Sequence, residues 1–145
     1  MKALDFFCGA GGLTRGLLDA GIDVIAGIDA DENCADTYSR NNTGVRFVHS
    51  DITLIQEDDI RSLLGNVPSD DLLIAGCAPC QPFSKQRRVE RTNVANKERR
   101  KADAMLLGEL ARIVELIKPA HVLVSENDNR GFSRDAQSAE FADDD

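Results

Sequence analysis

The chain has 145 residues and carries 17 Lys and Arg against 25 Asp and Glu, for a formal net charge of −8. That length suits one domain and leaves no room for two, and a composition with 42% hydrophobic and 29% charged residues excludes wholesale disorder. No apolar run approaches 18 residues, which excludes a membrane-spanning helix from the reading.

Met1-Lys2-Ala3-Leu4-Asp5 does not open a secretion signal. The four cysteines Cys8, Cys34, Cys77 and Cys80 therefore read as reduced thiols of a cytoplasmic protein, with no membrane partner. Ala3 to Phe7 reads as a first strand, which runs into the turn Cys8-Gly9-Ala10-Gly11-Gly12. A helix follows from about Leu13 to Ala20, with Gly21 as its stop. Val24 to Ile28 is a second strand. Asp31 can cap a helix over Glu32 to Arg40, which Asn41-Asn42 end. Val45 to Val48 is a third strand, and Asp58 to Leu64 a short helix with acidic residues at its positive end. Leu72 to Ala75 is a fourth strand.

Lys85 to Lys101 holds eight basic residues against Glu90 and Glu98, a local +6 that leaves the remainder at −14. It reads as a disordered loop, able to neutralise phosphates even in an acidic chain. A solvated charged loop is the plainer reading of the same run. Leu106, Leu110, Ile113, Val114 and Ile117 then mark a helix over Ala102 to Lys118, and Val122 to Val124 is a fifth strand. The domain is read as 1–132. Residues 133–145 form a polar acidic tail expected to lack order. Strands alternating with helices predict an α/β fold with a doubly wound, Rossmann-like parallel sheet. Ligands of such sheets bind beyond the carboxyl ends of the strands.

The residues at those ends carry the chemistry. Asp5-Phe6-Phe7-Cys8-Gly9-Ala10-Gly11-Gly12-Leu13 is a glycine-rich turn, but Thr14 stands where a dinucleotide fingerprint needs its third glycine. Asp29 closes the second strand about 20 residues on, where a carboxylate can accept ribose hydroxyls. Asp51-Ile52 after the third strand can meet an adenine edge, or serve only as a turn cap. After the fourth strand comes Gly76-Cys77-Ala78-Pro79-Cys80-Gln81-Pro82-Phe83-Ser84. It can hold a nucleophilic Cys80 between two prolines, or a C-x-x-C redox pair or half zinc site. Cys8 and Cys34 lack the spacing to complete a zinc site, so no metal is expected. Glu126, after the fifth strand, is a candidate proton donor or hydrogen-bond partner.

Together these motifs resemble the DNA cytosine-C5 methyltransferases, in order from about Leu4 to Asn127. The resemblance implies a sheet of the S-adenosylmethionine-dependent methyltransferase type, incomplete at its C-terminal side. It implies S-adenosylmethionine as cofactor, S-adenosylhomocysteine as product, and Asp5, Phe6, Cys8, Gly9, Gly11, Leu13, Asp29, Asp51 and Ile52 as the residues that bind them. It makes Cys80 of Pro79-Cys80-Gln81 the nucleophile that adds to cytosine C6, and Glu126 the residue that meets N3. Ser84, Lys85, Arg87 and Arg88 become the start of a loop that closes on DNA. Glu109, Arg112, Lys118 and Pro119 match the helix before the fifth strand, whereas Asp128 departs from the family's Glu-Asn-Val.

The family's later motifs and its target recognition domain find no match in the sequence. The expectation is a DNA (cytosine-5-)-methyltransferase, nucleoid-associated if bacterial, that is inactive alone and self-associates or needs a complementing subunit. The alternatives are a tRNA cytosine-C5 methyltransferase, a non-catalytic cofactor-binding subunit, and a dithiol oxidoreductase using Cys77 and Cys80.

Overall fold

A computed structural model describes residues 1–77 and 93–125 of the chain. Five strands form one parallel sheet: β1 (Lys2–Phe6), β2 (Asp23–Asp29), β3 (Arg46–His49), β4 (Leu72–Gly76) and β5 (His121–Val124), in the order β3-β2-β1-β4-β5. The helices are α1 (Gly12–Asp19), α2 (Ala35–Asn41), α3 (Glu57–Leu64) and α4 (Asn93–Ile117), with a short 3-10 turn at Glu32–Cys34 ahead of α2. The sheet predicted from the alternating pattern is present. Its order reverses between β1 and β4, which puts the ligand crevice of such a fold at the carboxyl ends of those two strands.

Alternation along β1 assigns its two faces. Leu4 and Phe6 pack with Ile28, Leu72 and Ile74 against Ile60 and Leu64 of α3 and against Leu110, Ile113 and Ile117 of α4. Ala3 and Asp5 point to the opposite face, where Ala3, Val24, Leu73 and Ala75 pack against Leu17 of α1. Local chemistry ends the helices as the sequence suggests. Asp31 accepts the backbone N–H of Asn33. Gln56 and Asp59 form a reciprocal capping box at the start of α3.

Two expectations change. The helix read from Ala102 begins at Asn93, so residues 93–101 of the basic run belong to α4 and not to a disordered loop. Asn93-Val94-Ala95-Asn96-Lys97-Glu98-Arg99-Arg100-Lys101 contains no glycine or proline and is rich in good helix formers, and that propensity outweighs the apparent loop character of its charge. Ser84, Lys85, Arg87, Arg88 and the tail 133–145 lie outside the described residues. The second change is the helix read over Glu32 to Arg40, which divides into the 3-10 turn and α2.

The expectation of an incomplete C-terminal side holds. Val122, Leu123 and Val124 are 47%, 40% and 44% exposed, although successive residues of a strand face opposite sides of the sheet. Parallel strands are ordinarily covered on both faces. Among the described residues, β5 is covered on neither. No described helix is long and apolar enough to cross a membrane.

Candidate functional site

The turn after β1 is held in a shape few residues adopt. Phe7, Gly9 and Gly11 have φ of 58°, 48° and 85°. At Gly11 this is combined with close approach: a Cβ there would fall on Asn42 Nδ2 and lie 2.8 Å from Tyr38 Cδ2. Two neighbouring asparagines at the end of α2 take up the loop's carbonyls. Asn41 Nδ2 donates to Ala10 O at 2.9 Å, and Asn42 Nδ2 to Gly11 O at 3.1 Å. These residues read from sequence only as a helix stop.

Beneath the loop lies a buried polar chain. Thr14 Oγ1 donates to Asp5 Oδ2 at 2.6 Å and lies 3.1 Å from Tyr38 Oη. Because the threonine proton goes to Asp5, the tyrosine hydroxyl must donate to Thr14. Asp5, Thr14 and Tyr38 are all fully buried. Burial pushes the Asp5 carboxyl up from 3.8 to about 6, against the lowering effect of Thr14. Burial also pushes the Tyr38 hydroxyl to about 12. Tyr38 fits only because β2 carries Gly27 beneath it; a Cβ on Gly27 would lie 2.5 Å from the ring.

Asp29, at the end of β2, accepts Gly9 N–H on Oδ2 at 2.8 Å and Asp31 N–H on Oδ1 at 2.9 Å. Each carboxylate oxygen has capacity for a further hydrogen bond, and the residue is only half-buried. Asp29 can therefore fix the loop and still receive two hydroxyls from a ligand. Asp51 is exposed, and its Oδ1 takes both Thr53 N–H (2.9 Å) and Thr53 Oγ1 (2.8 Å), which lowers its pKa. Ile52 is 4% exposed and belongs to the core. Ser50, just before them, lines an open groove of about 310 Å³ with Ile28, Val48, Ile55 and Leu63.

Among the other predicted ligands, Gly9, Gly11 and Leu13 lie in or beside the turn. Phe6 is 1% exposed and packs in the core, and the half-buried Phe7 that follows it in the turn packs against the same cluster. Cys8 is 6% exposed, and burial, reinforced by the charges of Asp5 and Asp29, pushes its thiol pKa far up. It contributes bulk and not a reactive thiolate.

The far wall of the crevice comes from β4 and β5. Cys77 N–H donates to Phe6 O at 3.3 Å, and Ser125 N–H to Gly76 O at 3.0 Å. Phe6 is paired with Gly76, and Gly76 with Val124, so three strands end level. Cys80 follows Gly76 by four residues and Glu126 follows Val124 by two; both lie outside the described residues. Among the described residues no cluster of His, Cys, Asp and Glu could hold a metal ion.

Comparison with known proteins agrees with this geometry. The C-5 cytosine-specific DNA methylase family matches over residues 1–137. The chain is 35% identical over 133 residues to the type II methylase M.HgiDII of Herpetosiphon aurantiacus, covering 90% of this chain and 34% of that protein. It is 31% identical over 142 residues to the type II methyltransferase M.HgiGI of the same organism, covering 96% of this chain and all of that one. The chain thus spans about a third of the first relative and the whole of the second. Among solved structures, a candidate DNA modification methyltransferase of an E. coli prophage superposes with a TM-score of 0.66 at 25% identity, over 87% of this chain and 32% of that one. The Dnmt2 methyltransferase of S. pombe shares the fold, with a TM-score of 0.58 at 18% identity over 87% of this chain and 34% of that one.

Proposed function

Because the chain belongs to the C-5 cytosine-specific DNA methylase family, we propose that it carries the cofactor side and the nucleophile of a DNA cytosine-C5 methyltransferase that uses S-adenosylmethionine. The observation that supports this most is the common level of the three strand ends. The glycine-rich turn and Asp29 lie on one side of the crevice, and the end of β4 at Gly76 lies on the other, four residues before Cys80 in the sequence.

The residues present suit the cofactor. Asp29 retains two acceptor positions for the ribose hydroxyls, and Asp51 offers a carboxylate for the adenine amino group. When bound, S-adenosylmethionine supplies an electrophilic methyl group on its sulfonium. The task of the chain is to make cytosine C5 a nucleophile. Cys80 adds through its thiolate to C6: the sulfur pair forms the S–C6 bond and the C5=C6 pair moves onto C5 and, through C4, toward N3. Once C5 is alkylated, loss of the C5 proton to solvent restores the double bond and expels the Cys80 thiolate. Glu126 gives a hydrogen bond at N3 and stabilises the charge that develops there. The target carbon is unreachable in a stacked duplex, so the base must be flipped, which costs a few kcal/mol.

The basic run supplies salt-sensitive contact with phosphates, in a range typical of a Kd of about 10⁻⁴–10⁻⁶ M. That is too weak to hold a flipped base in register. The 145 residues by themselves are accordingly read as inactive.

Calorimetry with S-adenosylhomocysteine, with NAD as control, tests the cofactor half: binding of NAD alone refutes it. A 5-fluorocytosine duplex tests the nucleophile once the complementing polypeptide is supplied. A covalent adduct that is lost in Cys80→Ser and kept in Cys77→Ala is expected. The reverse pattern refutes Cys80, and a reversible Cys77–Cys80 disulfide without any adduct favours dithiol chemistry.

A further inference from the structure

The turn that follows β3 is fastened from the opposite side of the sequence. Its ladder with β2 ends at the Asp29–His49 pair, and Ser50 N–H donates once more to Asp29 O at 2.9 Å. From there to Glu57, where α3 begins, the chain has no strand partner. Within this stretch Leu54 N–H reaches Asp51 O (3.0 Å) and Ile55 N–H reaches Ile52 O (3.3 Å), which coils the turn. The carbonyls of Ile52 and Ile55 then receive one more donor. Arg112 Nη2 reaches both, at 3.0 and 3.1 Å, while its Nε donates to Glu109 Oε2 at 2.7 Å.

We propose that Arg112 is a positioning residue for adenine recognition: by binding the Ile52 and Ile55 carbonyls it fixes the turn from which Asp51 meets the base. The inference rests on the reading of Asp51 as the adenine ligand. The side chains of Ile52 and Ile55 are 4% and 5% exposed, so the turn is anchored in the core through its apolar groups and on α4 through its carbonyls. Asp51 itself is exposed, and the only hold on its carboxylate among the described residues is Thr53. Without Arg112 nothing else described ties the backbone beneath Asp51 to the rest of the fold by a charged hydrogen bond. An arginine suits the place. Its planar fork sends Nε–H toward Glu109 and both Nη2 hydrogens toward two carbonyls at once, which a point-like ammonium on a flexible stem cannot reproduce.

The function of the clamp is selectivity at the purine 6-position. Adenine presents an amino donor there, and hypoxanthine an acceptor. A carboxylate held in place accepts from the first and repels the second; a carboxylate free to move loses that distinction. Calorimetry on the full chain with S-adenosylhomocysteine and S-inosylhomocysteine reads it as a ratio of affinities. The parent is expected to favour the adenosyl ligand, and Arg112→Met, which keeps the apolar stem, to reduce that preference about tenfold. Arg112→Lys should fall between them. Amide exchange at Thr53 to Gln56 in the ligand-free protein should quicken in the same order.

A general loss of structure weakens both ligands equally and leaves the ratio unchanged, so an unchanged ratio in Arg112→Met overturns the proposal. If Arg112→Met does not fold, Arg112→Lys carries the test, and parent-like selectivity and exchange in that variant overturn it. A parent that binds neither ligand overturns the cofactor reading, and the proposal with it. A parent that discriminates while both variants discriminate equally well removes the proposal alone.

Discussion

Replacing Gly11 by alanine probes the turn most directly, because the structure separates it from its neighbours. Gly11 has φ 85°, and its added methyl would meet Asn42 Nδ2 and Tyr38 Cδ2, both on fully buried side chains. A left-handed conformation costs a non-glycine residue about 1–2 kcal/mol, and an unaccommodated methyl in a packed site adds about 1–3 kcal/mol. The expected destabilisation of Gly11→Ala is therefore about 2–5 kcal/mol. Gly9 has φ 48° but open space, so Gly9→Ala carries only the conformational part, about 1–2 kcal/mol. Gly12 opens α1 with ordinary φ and nothing within 4 Å, and alanine there should be neutral or stabilising by about 0.5–1 kcal/mol. Urea unfolding of the three variants gives the ranking from midpoints at constant slope. The double variant Gly11→Ala/Asn42→Ala should recover part of the loss, since one of the two clashing side chains is gone. Equal destabilisation at Gly9 and Gly11, or no coupling with Asn42, would refute the idea that α2 sets the shape of the turn.

Asp29→Asn should weaken S-adenosylhomocysteine by about 1–3 kcal/mol, because an amide group must then face Gly9 or Asp31 N–H; undiminished affinity by calorimetry counts against the ribose assignment. Asp5 predicts a pH dependence of stability. Its folded pKa of about 6 lies above its ordinary 3.8, so the unfolded chain gives up this proton first as pH rises. The contribution of Asp5 is present in full below about pH 4, is lost between about pH 4 and 6, and amounts to about 3 kcal/mol. Asp5→Asn should remove that slope from a series of urea midpoints, and an identical slope in parent and variant would contradict the burial argument. Among Cys8, Cys34 and Cys77, maleimide labelling of the native chain should be slowest at Cys8, whose thiol is both buried and held protonated. Mass spectrometry of the labelled peptides decides this.

The sheet was legible because its signal is local: short apolar runs such as Leu72-Leu73-Ile74-Ala75, bounded by polar residues and alternating with helical stretches, read as buried parallel strands. Asp29 was legible for a related reason. A strand end about 20 residues beyond a glycine-rich turn is a place fixed by the βαβ unit itself. The start of α4 was not, because charge dominated a stretch whose helix propensity was ordinary and good. Arg112 stood out in the sequence only as a match to the family's helix before the fifth strand, with nothing to show what it binds. Its partners lie 60 and 57 residues away and are backbone carbonyls, which carry no side-chain identity.

The residue that breaks the dinucleotide pattern explains how the turn is held. The third glycine of that fingerprint lets helix and strand pack closely. Thr14 occupies the place here, and it is fully buried between β1, α1 and α2. Its hydroxyl replaces a bare contact with a hydrogen-bonded chain from Asp5 through Thr14 to Tyr38. From Tyr38 the same helix reaches the loop again through Asn41 and Asn42. A polar chain of this kind is costly to bury, as the raised pKa of Asp5 and its Oδ1, without a partner among the described residues, indicate. What it provides is direction. Apolar packing would tolerate a turn displaced by a rotamer, whereas these hydrogen bonds fix Ala10 and Gly11 with respect to α2, and the bond from Gly9 ties Asp29 to the same turn. The strained backbone at Phe7 and the left-handed glycines are then held by side chains that a motif search for glycines does not weigh.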